Sequence, residues 1–179
     1  MATSTLLTID DFERLPAEDA ENHELVDGRL VDVSGNTARH NMLRDRLTAL
    51  MLPWITERSL GTVIAEQEFD FLGNAHGPDV SVMGPAKVAL IDPDRRVQRF
   101  VPDLAIEVAS QSDTYEGILA KKERYLKSGT AEVWLFSLRT RELAIYGAHR
   151  NVTLRGTDAI TTDLMPGFSI TVEELLRGL

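Results

Sequence analysis

The sequence contains no cysteine, which excludes disulfides, thiolate zinc sites, iron–sulfur clusters and cysteine nucleophiles together. Its four histidines, His23, His40, His76 and His149, are scattered and lack the pairing of an H-E-x-x-H zinc helix. A histidine-built catalytic zinc is therefore not expected. No run approaches the roughly 18 apolar residues of a membrane span, and the opening MATSTLLTIDDFERL carries acids where a signal peptide has a basic start and an apolar stretch. The expectation is a cytoplasmic protein with no membrane contact. Basic residues are scarce as well: 19 Lys and Arg against 28 Asp and Glu give a net charge of -9. DNA presents about one negative charge per 1.7 Å of axis, so any contact of this chain with a polyanion must be local. What remains is globular in composition, 179 residues with 43% hydrophobic and 26% charged. That length suits one domain spanning 1–179, with a core buried well enough to need no disulfide or structural metal.

Periodicity and turn chemistry divide the chain into short helices and strands. Thr8 and Asp11 form a capping pattern before a helix through Leu15 that Pro16 stops. Asp27-Gly28 sits between two β-leaning runs from Glu24 to Val33, a strong hairpin signal. Leu43, Leu47, Leu50, Met51 and Trp54 recur at helical spacing, predicting a helix from about Arg39 that Pro53 limits. Val63 to Leu72 reads as one strand, Gly73 to Gly77 as its turn, and Pro78 to Met83 as the next strand. Gly84 to Arg99 lacks periodicity and reads as a loop. Val101 to Val108 is the most strand-like run, and Asp113 to Ser128 is helical, with Asp113 and Glu116 in capping-box spacing. A hairpin about Arg139-Thr140-Arg141, a strand near Val152 and a helix from Thr171 to Leu176 close an α/β chain.

Two Pro-Asp pairs, Pro78-Asp79 and Pro102-Asp103, each open a strand, where the missing proline N–H is harmless. In the second strand a period of two puts Asp103, Ala105, Glu107 and Ala109 on one face, and Leu104, Ile106 and Val108 on the other. The second face is core. The first is acidic, and its alanines leave space for something bulky. A hard cation such as Mg²⁺ takes oxygen ligands, commonly one or two carboxylates with waters and substrate phosphate. Asp103 and Glu107 lie about 13 Å apart along the strand, too far to share an ion, whereas a neighbouring strand is only about 5 Å away. Asp79 is therefore the better partner for Glu107.

The ordered set Glu24-Leu-Val-Asp-Gly28, Arg39-His40, Pro78-Asp79-Val, Pro102-Asp103-Leu-Ala-Ile-Glu107-Val-Ala-Ser110, Lys121 to Tyr125, Gly129-Thr-Ala-Glu132-Val-Trp134 and Leu164-Met-Pro166-Gly167-Phe168 resembles the Uma-two family of bacterial restriction-endonuclease-like proteins, within the PD-(D/E)XK nuclease superfamily. The resemblance runs from about Thr8 to Leu176. It implies a restriction-endonuclease-like mixed β-sheet flanked by helices, with the domain core at about 22–176. It also implies a Mg²⁺-dependent endonuclease acting on DNA, with Mn²⁺ as a substitute ion. On that resemblance Asp79 and Glu107 are the metal ligands. The E-x-K position falls on Ala109, and the family's lysine comes from the following helix, at Lys121. Ser110-Gln111-Ser112 stands where the family has Ser-Pro-Ser, and Ser137 where it has Asp.

The helical wheel points elsewhere. At about 100° per residue, Tyr115, Ile118, Leu119, Tyr125 and Leu126 define an apolar arc with Lys122 near its centre and Lys121 to one side. Glu24 is a further carboxylate at a strand end, His40 lies on the Leu43 face of its helix, and Asp103 either orients the site or starts its strand. Arg95, Arg96 and Arg99 are the local cations that could meet phosphates. Two other readings stand beside the nuclease: a non-catalytic binding module on the nuclease fold, and a homo-oligomer, a homodimer at its simplest, built on Trp134 and the C-terminal hairpin.

Overall fold

Asp27 and Gly28 both take positive φ, +49° and +75°, the conformation a two-residue hairpin turn requires. They join β1 (His23–Val26) to β2 (Arg29–Asp32) and so fix where Glu24 lies. The computed structural model describes residues 6–33, 35–110 and 113–179. Before the hairpin come α1 (Ile9–Glu13), closed by the expected Thr8–Asp11 capping box, and the single turn α2 (Ala17–Ala20). After it, α3 (Ala38–Glu57) runs through Pro53 instead of ending there. Buried Leu47, Met51 and Ile55 anchor the helix on both sides of the proline, and the carbonyl that Pro53 frees belongs to exposed Ala49, where water can satisfy it.

The run from 63 to 72 is two strands in different sheets, β3 (Thr62–Ala65) and β4 (Glu68–Asp70). Glu66, at φ +55°, breaks the extended backbone between them. The expected turn holds a short strand, β5 (Ala75–His76), before β6 (Val80–Met83). The expected loop from 84 to 99 contains the helical turn α4 (Pro85–Val88) and β7 (Val97–Gln98). Elements of four and two residues are too short to leave a periodic trace. They are followed by β8 (Leu104–Ala109), α5 (Tyr115–Lys127), β9 (Glu132–Ser137), β10 (Glu142–Gly147) and β11 (Arg150–Arg155). The N-cap of α5 is Thr114, not Asp113, whose carboxylate takes the Ser110 amide instead. Of the Ser110-Gln111-Ser112 departure, positions 111 and 112 lie outside the described residues. The chain closes with β12 (Ala159–Ile160), β13 (Ile170–Thr171) and α6 (Val172–Leu175), capped by Thr171 and Glu174.

Among the described residues the strands form a six-stranded mixed sheet, β11-β10-β9-β8-β6-β3, a five-stranded sheet, β2-β1-β5-β4-β7, and the pair β12-β13. In the large sheet β8 and β9 are parallel, joined by α5 as crossover, and β6 is antiparallel to β8. One face packs Leu104, Ile106 and Val108 against Leu43, Leu47, Met51 and Ile55 of α3. The other packs Ala105 and Val133 with Phe69, Phe71 and Tyr125. Both faces of β8 are therefore covered, and the room beside Ala105 is taken by the protein's own aromatic rings. This is the α/β fold expected, a mixed sheet flanked by helices. Trp134 is fully buried, with its indole N–H on Glu132, so it presents no surface to a second copy.

Candidate active site

Antiparallel pairing sets Val80 against Ile106, and one more step of that register brings Asp79 opposite Glu107. The Val108 amide donates to Asp79 Oδ2 at 2.6 Å, and His40 Nε2 lies 3.2 Å from Oδ1. Glu107 points to the α5 side, where Tyr125 donates its hydroxyl to Oε1 at 2.6 Å and Lys121 Nζ lies 3.1 Å from the same oxygen. Lys121 also reaches Glu24 Oε1 at 3.0 Å, so one ammonium joins a carboxylate of each large sheet. Asp79, Glu107, Lys121, Glu24 and His40 thus gather in one place, and all of them but the buried Asp79 line a cleft of about 830 Å³.

Helix pitch explains the choice of lysine. Tyr125 is the buried residue of α5, whereas Tyr115, counted in the apolar arc, is 73% exposed. Ile118 and Tyr125 form one flank of the apolar arc and Leu119 and Leu126 the other, and Lys121, four residues before Tyr125, lies beside the first flank, where Glu107 meets both side chains. Lys122 turns to Glu123 at 2.9 Å and sits over the Tyr146 ring. Asp103 stands apart just before β8, accepting from the Gly84 amide at 2.7 Å and pairing with Lys87 at 2.8 Å. The three arginines lie elsewhere too: Arg96 forks onto Glu68 and the Ala20 carbonyl, Arg99 pairs with Asp10 and Glu13, and Arg95 sits between Glu13 and Asp92.

Four contributors escaped the sequence reading. His76 donates from Nδ1 to Glu24 Oε2 at 2.8 Å, and its Nε2 accepts from Arg124 at 3.0 Å. Arg124 continues to Asp27, and Tyr125 stacks on Phe71 at 4.0 Å between ring centroids. Arg124 and Tyr125 follow Lys121 at i+3 and i+4, a spacing that signals a shared helix face. His76 left no comparable signal, because only the fold of the five-stranded sheet carries it to Glu24.

The electrostatics are lopsided. Burial opposes ionisation of Glu24, but Lys121 and His76 outweigh it and hold its pKa down to about 2. For Glu107 burial prevails over Lys121, and Asp79 and Glu24 add to it, raising the pKa to about 7. Lys121, although buried, is held well above its ordinary value by Glu107 and Glu24. Burial depresses His76 below the usual histidine range, in keeping with a neutral ring that donates at one nitrogen and accepts at the other. His40 is shifted upward, since Asp79 outweighs burial. Three neighbouring carboxylates therefore face one ammonium, an excess that a cation would relieve. Among the described residues no three His, Asp or Glu side chains form a ready-made metal cage. Two carboxylates beside an open cleft nevertheless suit a hard ion that keeps its remaining positions for water and phosphate.

A family model described as "Uma2: Putative restriction endonuclease" matches residues 9–173. The chain belongs to the Uma2 family. The family is the one that the sequence resembles. A solved structure described as a putative nuclease belonging to DUF820, from Anabaena variabilis, is similar over 95% of this chain and 97% of that one, with a TM-score of 0.81 and 18% identity. At that identity the likeness is one of fold. No curated protein matches the chain. Uma2 membership and a nuclease-like fold support a nuclease, a hydrolase of phosphodiester bonds, and no helix among the described residues is long and apolar enough to cross a membrane.

Proposed function

We propose that this cleft cleaves DNA phosphodiester bonds with one divalent cation, Mg²⁺ or Mn²⁺. The observation that carries the reading is Lys121 Nζ, 3.1 Å from Glu107 and 3.0 Å from Glu24, beside an Asp79 aligned with Glu107. Asp79 and Glu107 would hold the ion, which when bound neutralises phosphate charge and makes water a better nucleophile. Lys121 holds a fixed positive charge at the cleft wall, where it can meet the charge that develops on phosphate oxygens. Glu24, locked by His76 and by the Gly77 amide at 3.1 Å, keeps that ammonium in place. Tyr125 fixes the carboxylate plane of Glu107 through its hydroxyl. The side chains that do the chemistry are thus oriented before substrate arrives, which is what makes them effective in the transition state.

A binding module without turnover is the second reading, favoured by the net charge of -9 and by a cleft wall rich in carboxylates. A cleavage screen over supercoiled, linear, single-stranded and branched DNA with Mg²⁺ or Mn²⁺ separates the two. The nuclease reading expects metal-dependent cleavage by the wild type and none by Glu107→Gln. Absence of cleavage on every substrate would leave the module.

A further inference from the structure

Among the described residues that line the cleft, Lys121 and Arg124 are the fixed cations. Lys121 is committed to two carboxylates, Glu24 and Glu107, whereas Arg124 is held firmly on one edge only. Its Nη1 donates to His76 Nε2 at 3.0 Å, and His76 is locked in turn by its bond to Glu24. Its Nη2 meets both oxygens of Asp27, at 3.1 and 3.2 Å. The Asp27 side chain is 75% exposed, and an exposed ion pair of this kind is weak and exchangeable. The backbone of Asp27 does not depend on that pair, because its amide donates to Asn74 Oδ1 at 2.7 Å and its turn is set with Gly28.

We infer that Arg124 is the phosphate clamp of this cleft, and that the Asp27 carboxylate stands where a backbone phosphate of DNA binds. The inference rests on the nuclease reading above and adds to it the residue that grips the substrate. A guanidinium facing two oxygens suits phosphate as well as carboxylate, so substrate displaces Asp27 without disturbing the His76 contact. Arg124 lies three residues after Lys121 on the same helix, within neighbouring reach. A strand whose reacting phosphate faces Lys121 therefore brings an adjacent phosphate to Arg124. Apart from Lys121, Arg124 itself and the histidines, the ionisable groups that line the cleft among the described residues are carboxylates, so this one contact carries much of the electrostatic affinity.

Binding of a fluorescein-labelled DNA duplex, followed by anisotropy in Ca²⁺ over a range of salt concentrations, tests the assignment. Arg124→Gln should weaken binding by about tenfold, the effect of one charge-assisted contact, and lower the steepness of the log–log salt dependence by about 0.9. Arg124→Lys should keep that steepness. Asp27→Asn, which suits the positive φ at that turn, should tighten binding by up to about fivefold, the worth of an exposed ion pair. A purely structural Arg124–Asp27 pair gives the opposite sign, with both Arg124→Gln and Asp27→Asn weakening binding, and that result would overturn the clamp. If the wild type binds and cleaves while Arg124→Gln keeps its affinity and salt dependence, the clamp falls and the nuclease reading stands. A wild type that neither binds nor cleaves DNA removes both.

Discussion

One acid stands just before strand β8 and another within it, and their surroundings are built differently. The first, Asp103, is matched by one lysine and one backbone amide, so its charge is balanced and its geometry closed. Four residues on, Glu107 shares its surroundings with Asp79 and Glu24 against the single ammonium of Lys121, and its pKa rises to about 7. The same stretch of chain thus holds a carboxylate that the fold has satisfied and one that it has left wanting a cation. What distinguishes a working acid from a structural one is the balance of charges around it, which the strand's own residues do not reveal.

The largest expected effects set these two acids against each other. Glu107→Gln or Asp79→Asn should lower metal-dependent cleavage by at least about a hundredfold, and calorimetric titration should show Mn²⁺ binding lost in Asp79→Ala and Glu107→Ala but kept in Asp103→Ala. Asp103→Asn should instead cost stability, about 1–3 kcal/mol in denaturant unfolding, and leave turnover intact. Equal loss of Mn²⁺ binding at all three acids would erase the contrast. Next in size is the lysine pair: Lys121→Met should reduce turnover by about a hundredfold with little change in metal affinity, and Lys122→Met by no more than about fivefold, roughly 1 kcal/mol of barrier. The reverse order would restore the helical wheel's choice.

The pH dependence of the metal-free protein sharpens the comparison further. Between the ordinary glutamate pKa and about 7, folded Glu107 keeps a proton that the unfolded chain has released, so its contribution favours folding at low pH and is lost as pH rises through that window. The loss amounts to at most about 1.4 kcal/mol per pH unit. Glu24, held down to about 2, acts in the opposite sense, with stability present above the ordinary glutamate pKa and lost as pH falls toward 2. Unfolding free energy of Glu107→Gln should therefore be flatter than wild type from about pH 5 to pH 7, and an unchanged profile would mean that Glu107 is already ionised. The smallest effect is expected far from the cleft. Replacing Arg95, Arg96 and Arg99 together by Gln should lower the melting temperature while changing DNA affinity by less than about twofold, because each already pairs with an acid. A drop of about 2.7 in the salt dependence would restore them as phosphate contacts.

Much of this was legible along the chain. Capping at Thr8 and Thr171, the Asp-Gly hairpin and the Pro-Asp strand starts are local signals, and they stand in the structure at those residues. Strand spacing makes Asp79 the better partner for Glu107 given a suitable register, and the register of β6 on β8 is such a one. Signals failed where a tertiary partner decides the outcome. Pro53 was read as a stop because the apolar anchors beyond it act across space, and the break at Glu66 is a single positive φ in an otherwise extended run. The wheel points to Lys122 because it weighs the whole apolar arc, whereas Glu107 meets only the Tyr125 flank, where Lys121 stands. His76 and Arg124 could not be joined to the Glu24–Asp27 hairpin from spacing, since their contacts cross 48 to 97 positions of chain.

The lysine's arrival from a helix, and not from the strand that bears Glu107, bears on what fixes such a site. Two residues beyond Glu107 the strand carries Ala109, and the ammonium arrives from α5, turned inward beside Tyr125. What the site requires is the endpoint of a side chain, not the rung of the backbone that bears it. A comparison that slides one string of letters past another registers a lost residue; a comparison of atoms in space registers none. The element that supplies the charge can therefore differ while the charge itself stands at the same point beside Glu107.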